Sequence, residues 1–223
     1  MKSKSWLKRL GNKLKILNKM NDSKLIIFSA PSGAGKSSLI KKLIELSEST
    51  IELSVSVTTR EPRDGEVHGV DYFFISEQEF LKLEKQDAFL ESANVHGFHY
   101  ATLKSFVDEK TSSGISVILD IDVQGFKQIK QTSQDNVSIF ILPPSLEELE
   151  QRLFNRGSES SESIKKRLEN ALIELRSVEI FDYVVVNDEF DKTIKILSSI
   201  LFDKNIEYND ENAKNILKEL LDY

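Results

Sequence analysis

The sequence contains no cysteine. Disulfides and thiolate metal sites are therefore excluded, and a reducing, cytoplasmic setting fits. Its three histidines, His68, His96 and His99, lie in polar, turn-like sequence and are too few to make a zinc site by themselves. No apolar stretch approaches the roughly 20 residues that span a bilayer. No continuous apolar segment marks a secretory signal, and no internal repeat is present. At 223 residues, with 39% apolar and 30% charged side chains, the chain is long enough for one substantial core with insertions.

Positive charge is scarce beyond the amino-terminal segment. The net charge is −6, but residues 1–24 hold eight Lys/Arg against one acidic residue, so the remainder carries −13. An acidic body argues against nucleic-acid binding, yet local arginine clusters can still hold a small anion. Within the basic segment, Trp6, Leu10, Leu14 and Leu17 fall at helical spacing with lysines opposite. That is the pattern of an amphipathic helix resting on a membrane or an anionic partner. Gly11 and Asn12 weaken it. Residues 1–20 are read as a poorly ordered extension with no assigned role, and either Met1 or Met20 can be the start.

What is present is concentrated at residues 29–38, Ser-Ala-Pro-Ser-Gly-Ala-Gly-Lys-Ser-Ser. They follow the apolar run Leu25-Ile26-Ile27-Phe28 and precede the helical pattern Leu39-Ile40-Lys41-Lys42-Leu43-Ile44. A β-prone run, a small-residue turn and a helix start form the layout of a nucleotide phosphate loop. Gly33 and Gly35 let backbone amides approach an anion, and the helix amino end adds its positive dipole. Lys36 can reach β- and γ-phosphates, and the Ser37 hydroxyl suits Mg²⁺. Ala30 stands where the strict pattern G-x-x-x-x-G-K-[ST] has its first glycine. The segment predicts a nucleoside triphosphate site.

From Leu25 onward, strand and helix patterns alternate. Strands are expected over 25–29, 116–122, 137–142 and 183–186, and helices over 37–46, 77–85, 146–154, 164–176 and 191–201. Short strand-like runs occupy 53–58 and 70–75, separated by a charged, turn-rich segment. Residues 157–163 read as a Ser/Glu-rich loop, and 203–223 as a polar linker with a closing amphipathic helix. The alternation implies a parallel sheet covered by helices on both faces. Ligands of such sheets lie beyond the carboxyl ends of the strands, where the phosphate loop and Asp120 fall.

Two arginine groups supply candidate anion contacts. Arg60 and Arg63 lie three apart on a turn, and a guanidinium grips phosphate oxygens in a planar, bidentate way. Tyr72 and Tyr100 can add hydroxyl donors. Arg152 and Arg156 sit four apart on one helix face and, with Arg167, belong to a segment resembling a mobile helical flap. Taken alone, both groups also read as solvated surface charge. Beside a phosphate loop, the second suits neutralising a transferring phosphoryl group.

A resemblance then rests on an ordered set of segments. They are Ala-Pro-Ser-Gly-Ala-Gly-Lys-Ser, Ser-Val-Thr-Thr-Arg-Glu-Pro-Arg-Asp-Gly-Glu, Gly-Val-Asp-Tyr-Phe-Phe, Phe-Leu-Glu-Ser-Ala and Tyr-Ala-Thr. Ile-Leu-Asp-Ile-Asp-Val-Gln-Gly, Leu-Pro-Pro-Ser, Arg-Leu-Phe-Asn-Arg-Gly and Val-Val-Asn-Asp follow. Together they resemble guanylate kinases over roughly residues 24–202, with the basic extension before Met20 and the tail after about 203 outside the resemblance. The resemblance implies the α/β P-loop NTPase fold, with a parallel sheet core at 21–53, 105–145 and 177–223. It implies an inserted mixed α/β GMP-binding domain at 54–104 and a helical lid at 146–176. The implied reaction is ATP + GMP giving ADP + GDP with Mg²⁺ as cofactor, and the implied partners are those two nucleotides.

Carried over by position, Ala30, Pro31, Ser32, Gly33, Ala34, Gly35, Lys36, Ser37, Ser38 and Asn187 would hold ATP, with Ser37 on the metal. Arg60, Arg63, Tyr72 and Tyr100 would hold the GMP phosphate, and Ser56, Glu91, Thr102 and Asp120 would read the guanine. Lys36, Arg60, Arg152, Arg156 and Arg167 would supply catalytic charge. The base assignment also makes chemical sense. Guanine offers N1–H and a 2-amino group on one edge, which a carboxylate such as Glu91 accepts together, and hydroxyls of Ser56 and Thr102 can donate to O6. Adenine would leave these groups unpaired, at about 1–3 kcal/mol each. Two residues depart from the family's pattern: Ala101 stands where Gly is common, and Thr102 where Ser is frequent. Two rival readings are a catalytically silent interaction module and a kinase for another mononucleotide.

Overall fold

A computed structural model of the chain describes residues 23–47, 50–95, 97–132, 135–155, 161–202 and 208–222. The expected helix within 1–20, His96, Arg156 and most of the 157–163 loop lie outside these residues.

In chain order the elements are β1 (Leu25–Ser29), α1 (Lys36–Leu46), β2 (Ile51–Leu53), β3 (Val57–Thr58), β4 (Phe73–Phe74), α2 (Glu77–Lys85), β5 (Phe89–Val95) and β6 (Phe98–Leu103). They continue with α3 (Lys104–Ser112), β7 (Ser116–Asp120), α4 (Val123–Gln131), β8 (Asn136–Leu142), α5 (Leu146–Phe154) and α6 (Ser161–Leu175). A 3₁₀ turn (Val178–Ile180), β9 (Tyr183–Val186), α7 (Phe190–Phe202) and α8 (Glu211–Leu221) complete the set.

Five strands form one sheet in the order β2-β7-β1-β8-β9, in which β2 pairs with β7, and β8 with β9, in parallel. Every residue of β1 is buried, the signature of a strand covered on both faces, and it explains the unbroken apolar run. A second sheet has the order β4-β3-β6-β5 and mixes one parallel pair with antiparallel ones. The α/β architecture with a parallel sheet core is thus the one expected.

Several local expectations are corrected. The run 53–58 is not one strand: it divides into β2 of the first sheet and β3 of the second, with buried Ser54 donating its N–H to Ile118 O at 2.8 Å between them. Only Phe73–Phe74 of 70–75 is strand, because Val70 and Asp71 donate their N–H groups back to Val67 O in a turn. The strand from 116 ends at Asp120, and Asp122 instead caps α4, its Oδ1 accepting from Gly125 N at 2.9 Å. Helix α6 begins at Ser161, since Ser and Glu are helix-starting as well as loop-forming residues. The hairpin β5–β6 and helix α3 carry too little periodic apolar pattern to be read locally; α4 does bury Val123, Phe126 and Ile129 at helical spacing, but it is short and interrupted by Gly125. In α3 only Val107 is buried.

The chain divides into two compact units. Among the described residues, one comprises those within 1–26, 48–119 and 133–136, and the other those within 27–47, 120–132 and 137–223. In the first, Val57, Phe80, Phe89 and Ala101 form a buried cluster with Phe73, Ile75, Leu83 and Leu103 packed against it. Phe80 lies 4.7 Å from Phe89 and stacks on His99 at 4.8 Å. In the second, Phe181 packs on Phe126 and Phe140 at 4.3 and 5.1 Å. Two helices start with the same device. Ser76 Oγ accepts from Glu79 N before α2, and Ser145 Oγ accepts from Glu148 N before α5.

Candidate active site

The phosphate loop lies in the second unit. Gly33 and Gly35 both take left-handed backbone, φ 98° and 93°, which side chains rarely adopt. Space is also closed at Gly35 and tight at Gly33. A Cβ on Gly35 would stand 2.4 Å from Asn187 Nδ2, and one on Gly33 would stand 3.1 Å from Leu149 Cδ1. Asn187 is buried and its Nδ2 donates to Ala34 O at 2.7 Å, so the end of β9 clamps the loop. Gly35 also takes the cap position of α1 with no side-chain acceptor, leaving that helix's amino end to backbone donors. Ala30, Pro31 and Ala34 are buried, while Ser32, Ser37 and Ser38 are exposed.

Lys36 opens α1, and its ammonium is ion-paired with Asp120 at the end of β7. Asp120 was expected among the guanine contacts, but its carboxylate is placed on the phosphate-loop lysine. Two expected arginines come to the same unit. Arg167 of α6 donates from Nη1 to Ser32 Oγ at 3.0 Å. Arg152 of α5 donates from Nη2 to Asn187 O at 3.2 Å and from Nε to Glu148 Oε1 at 2.9 Å.

The remaining expected contacts gather in the first unit. Arg60 donates from Nη2 to Glu66 Oε1 at 2.9 Å, from Nε to Tyr100 Oη at 3.3 Å and from Nη1 to Glu61 O at 2.7 Å. Its guanidinium carbon lies 5.5 Å from the centre of the Tyr72 ring, and Tyr72 meets Tyr100 edge-on at 5.8 Å. The Glu66 hydrogen bond raises the Arg60 pKa above its ordinary value, and the same bond lowers that of Glu66. Arg63 is exposed and joins through its backbone N–H, donated to Glu66 Oε2 at 2.7 Å.

On the small sheet, Glu91 pairs in register with Thr102, and Val57 with Ala101. That register sets Ser56 opposite Thr102, on the face that carries Glu91 and Tyr100. Val57 and Ala101 point to the other face, into the Phe80 cluster. A register shift between Phe89 and Glu91 is what permits this: Phe89 opposes Leu103, yet Glu91, two residues on, opposes Thr102. Without that bulge, simple alternation would put Glu91 on the same face as Phe89. Glu91 and Thr102 are both buried, and Thr102 Oγ1 donates to Glu91 Oε1 at 2.7 Å. Ala101 is accommodated because its methyl belongs to the apolar cluster.

Two functional candidates carried no readable signal. Glu66 lies within the charged turn and becomes the partner of Arg60 only on folding. Glu174 lies on α6, with Oε2 buried and without a hydrogen-bond partner. Burial pushes its carboxyl up to about 7, against the pull of Lys36 and reinforced by Asp122. Among the described residues, no group of three or more His, Cys, Asp or Glu could hold a metal, and no helix is long and apolar enough to cross a membrane.

A buried first strand that turns through two left-handed glycines into a lysine-led helix, in a parallel sheet, defines a P-loop nucleotide-binding protein. Within that class the sequence model described as "Guanylate kinase" matches residues 22–204, and the chain belongs to the guanylate kinase family, which phosphorylates GMP using ATP. The guanylate kinase of Haemophilus influenzae (strain 86-028NP) is 48% identical over 206 residues, covering 91% of this chain and 99% of that protein. That of Rickettsia prowazekii (strain Madrid E) is 45% identical over 193 residues, covering 85% and 98%. The crystal structure of guanylate kinase from Anaplasma phagocytophilum superposes with a TM-score of 0.67 at 35% identity, covering 83% of this chain and 87% of that one.

Glu174 generates a test of pH dependence. Unfolded, its carboxyl titrates near the ordinary 4.5; folded, near 7. Across that window the folded chain keeps a proton the unfolded chain releases, so stability falls as pH rises, and the cost is complete above 7. Glu174→Gln should therefore stabilise the protein by about 2–3 kcal/mol near pH 8 and leave it unchanged near pH 4. Urea unfolding at both pH values measures this; an equal gain at both would assign the effect to packing instead of charge.

Proposed function

We propose that this chain moves the γ-phosphoryl group of ATP directly onto the phosphate of GMP, with no covalent enzyme intermediate. The observation that carries the acceptor side is one face of the small sheet. There the buried Glu91 carboxylate stands in register with Thr102 and beside Tyr100, whose hydroxyl receives Arg60. Arg60, Arg63, Tyr72 and Tyr100 grip the GMP phosphate. Glu91 accepts from N1–H and the 2-amino group of guanine, and Ser56 donates to O6. The acceptor is already an ionised phosphate, so no strong general base is needed. Residues 54–104 act as the GMP-binding domain.

On the donor side, the amides of 30–38 and Lys36 hold the ATP phosphates, and Asn187 braces the loop that presents them. Arg152, Arg156 and Arg167 take up charge on the transferring phosphoryl. We assign residues 146–176 as a lid and 21–53, 105–145 and 177–223 as the core. Closure over both nucleotides excludes water, the competing acceptor. The donor set available to a cation is oxygen only, the exposed Ser37 hydroxyl and the Asp120 carboxylate. It fits Mg²⁺, which takes few protein ligands and shares the rest with substrate phosphates. When bound, Mg²⁺ supplies charge neutralisation on the phosphate oxygens. In place of the guanine contact, the proposal gives Asp120 to this metal site. A chain without cysteine suits a reducing cytoplasm.

ADP release measured with GMP, AMP, UMP and CMP in turn tests the reading. Turnover with GMP alone supports it, and turnover with another acceptor or with none refutes it. Lys36→Ala should lower kcat by about 10²–10³-fold while GMP binding survives in calorimetry, since its role is charge at the transferring group. Glu91→Ala should raise KM for GMP by about 10–100-fold with little change for ATP; an equal rise for both would make its role structural.

A further inference from the structure

β4 is two residues long and lies at the edge of the small sheet, yet its Phe74 ring and the adjoining Tyr72 ring form the aromatic wall beside Arg60. The guanidinium carbon lies 5.5 Å from the Tyr72 ring centre and 5.8 Å from that of Phe74, and the two rings are 5.8 Å apart. On its inner side the strand is held by Phe73 N–H, donated to Ser56 O at 2.9 Å, and by Ile75 N–H, donated to Thr58 O at 3.0 Å. The N–H of Phe74, between them, therefore points away from β3, where an edge strand has no ladder partner. His68 supplies one, its Nδ1 accepting from Phe74 N at 3.2 Å. Gly69 N–H, donated to Tyr72 O at 2.8 Å, completes a short bridge between His68 and Tyr72. Accepting at Nδ1 requires that nitrogen to be bare, so the ring carries its proton on Nε2. The imidazole also meets the Phe73 ring edge-on at 5.7 Å. His68 is itself exposed, so it belongs to no core and its hold on β4 is directional.

We propose that His68 is a positioning residue for the acceptor phosphate: by closing the outer edge of β4 it fixes the Tyr72 and Phe74 rings, which hold the Arg60 guanidinium where the phosphate of GMP arrives. The inference rests on the reading of Arg60 and Tyr72 as part of the phosphate grip. Glu66 and Tyr100 hold that guanidinium through its nitrogens, while the two rings hold its face. A two-residue strand tied along one side alone is free to fray, and its rings then shift. A displacement of about 1 Å is enough to spoil the planar, bidentate approach of a guanidinium to phosphate oxygens.

The test compares GMP with guanosine, which keeps the base and ribose but has no phosphate. His68→Phe keeps a ring and removes the acceptor. His68→Asn keeps an acceptor at the same reach, since Asn Oδ1 is bonded to Cγ as His Nδ1 is. Calorimetry gives Kd for GMP and, by competition, for guanosine on the full-length wild type and both variants, and the binding stoichiometry reports the folded fraction. His68→Phe should weaken GMP by about 3–10-fold and leave guanosine within about twofold, while His68→Asn stays within about twofold of wild type for both. An equal loss for both ligands would mean that His68 supports the unit as a whole, and would overturn the proposal. So would unchanged GMP binding in His68→Phe, or a loss in His68→Asn as large as in His68→Phe. A wild type that binds guanosine as tightly as GMP would remove the phosphate reading of Arg60 itself, and the role of His68 with it.

Discussion

The two-glycine turn after β1 is the constraint on which the phosphate side of this protein depends. Left-handed backbone at Gly33 and Gly35 brings the chain so close to its neighbours that an added carbon would collide with Asn187 at Gly35 and press tightly on Leu149 at Gly33. The turn is therefore held from outside as well as bent from within. Asn187 bonds Ala34 O, Arg152 bonds Asn187 O, and Arg167 bonds Ser32. A helix that starts with a glycine cap and no side-chain acceptor keeps its amino end for an anion. Loop, strand end and the helices that carry the arginines form one connected set of contacts.

A chain with a net charge of −6 must still gather cations for phosphate chemistry, and it does so by pairing them. Lys36 is matched by Asp120, Arg60 by Glu66 and Arg152 by Glu148. Each acid holds a long, flexible cation near a defined position, which on the proposed reading would lower the conformational entropy lost when a phosphate arrives. Glu91 works in the opposite sense. Its carboxyl group is kept in a nearly closed site, where it is tolerated with donors such as Thr102 around it.

Much of this was legible along the chain. β1, the phosphate loop, α2, α5 and β9 were readable because each depends on neighbours within a few residues: apolar runs, helical spacing, glycines before a lysine. The arginines Arg60 and Arg152 became candidates only beside the phosphate loop, since their spacing alone also reads as solvated surface charge. The split between β2 and β3 was not, because nothing in 53–58 says that the chain leaves one sheet for another. Nor was Glu66, whose value lies in a partner set by turn geometry.

The sequence by itself determined the kind of chemistry, since a phosphate loop is a local object: five or six residues bend, and their amides and lysine converge whatever surrounds them. Only tertiary structure decided which face each acidic group would serve. A one-residue register shift turns Glu91 away from the Phe89 side and toward Thr102, and strand order brings Asp120 beside Lys36. Side-chain direction in a sheet reverses with every residue, so its outcome depends on pairing between strands far apart in sequence.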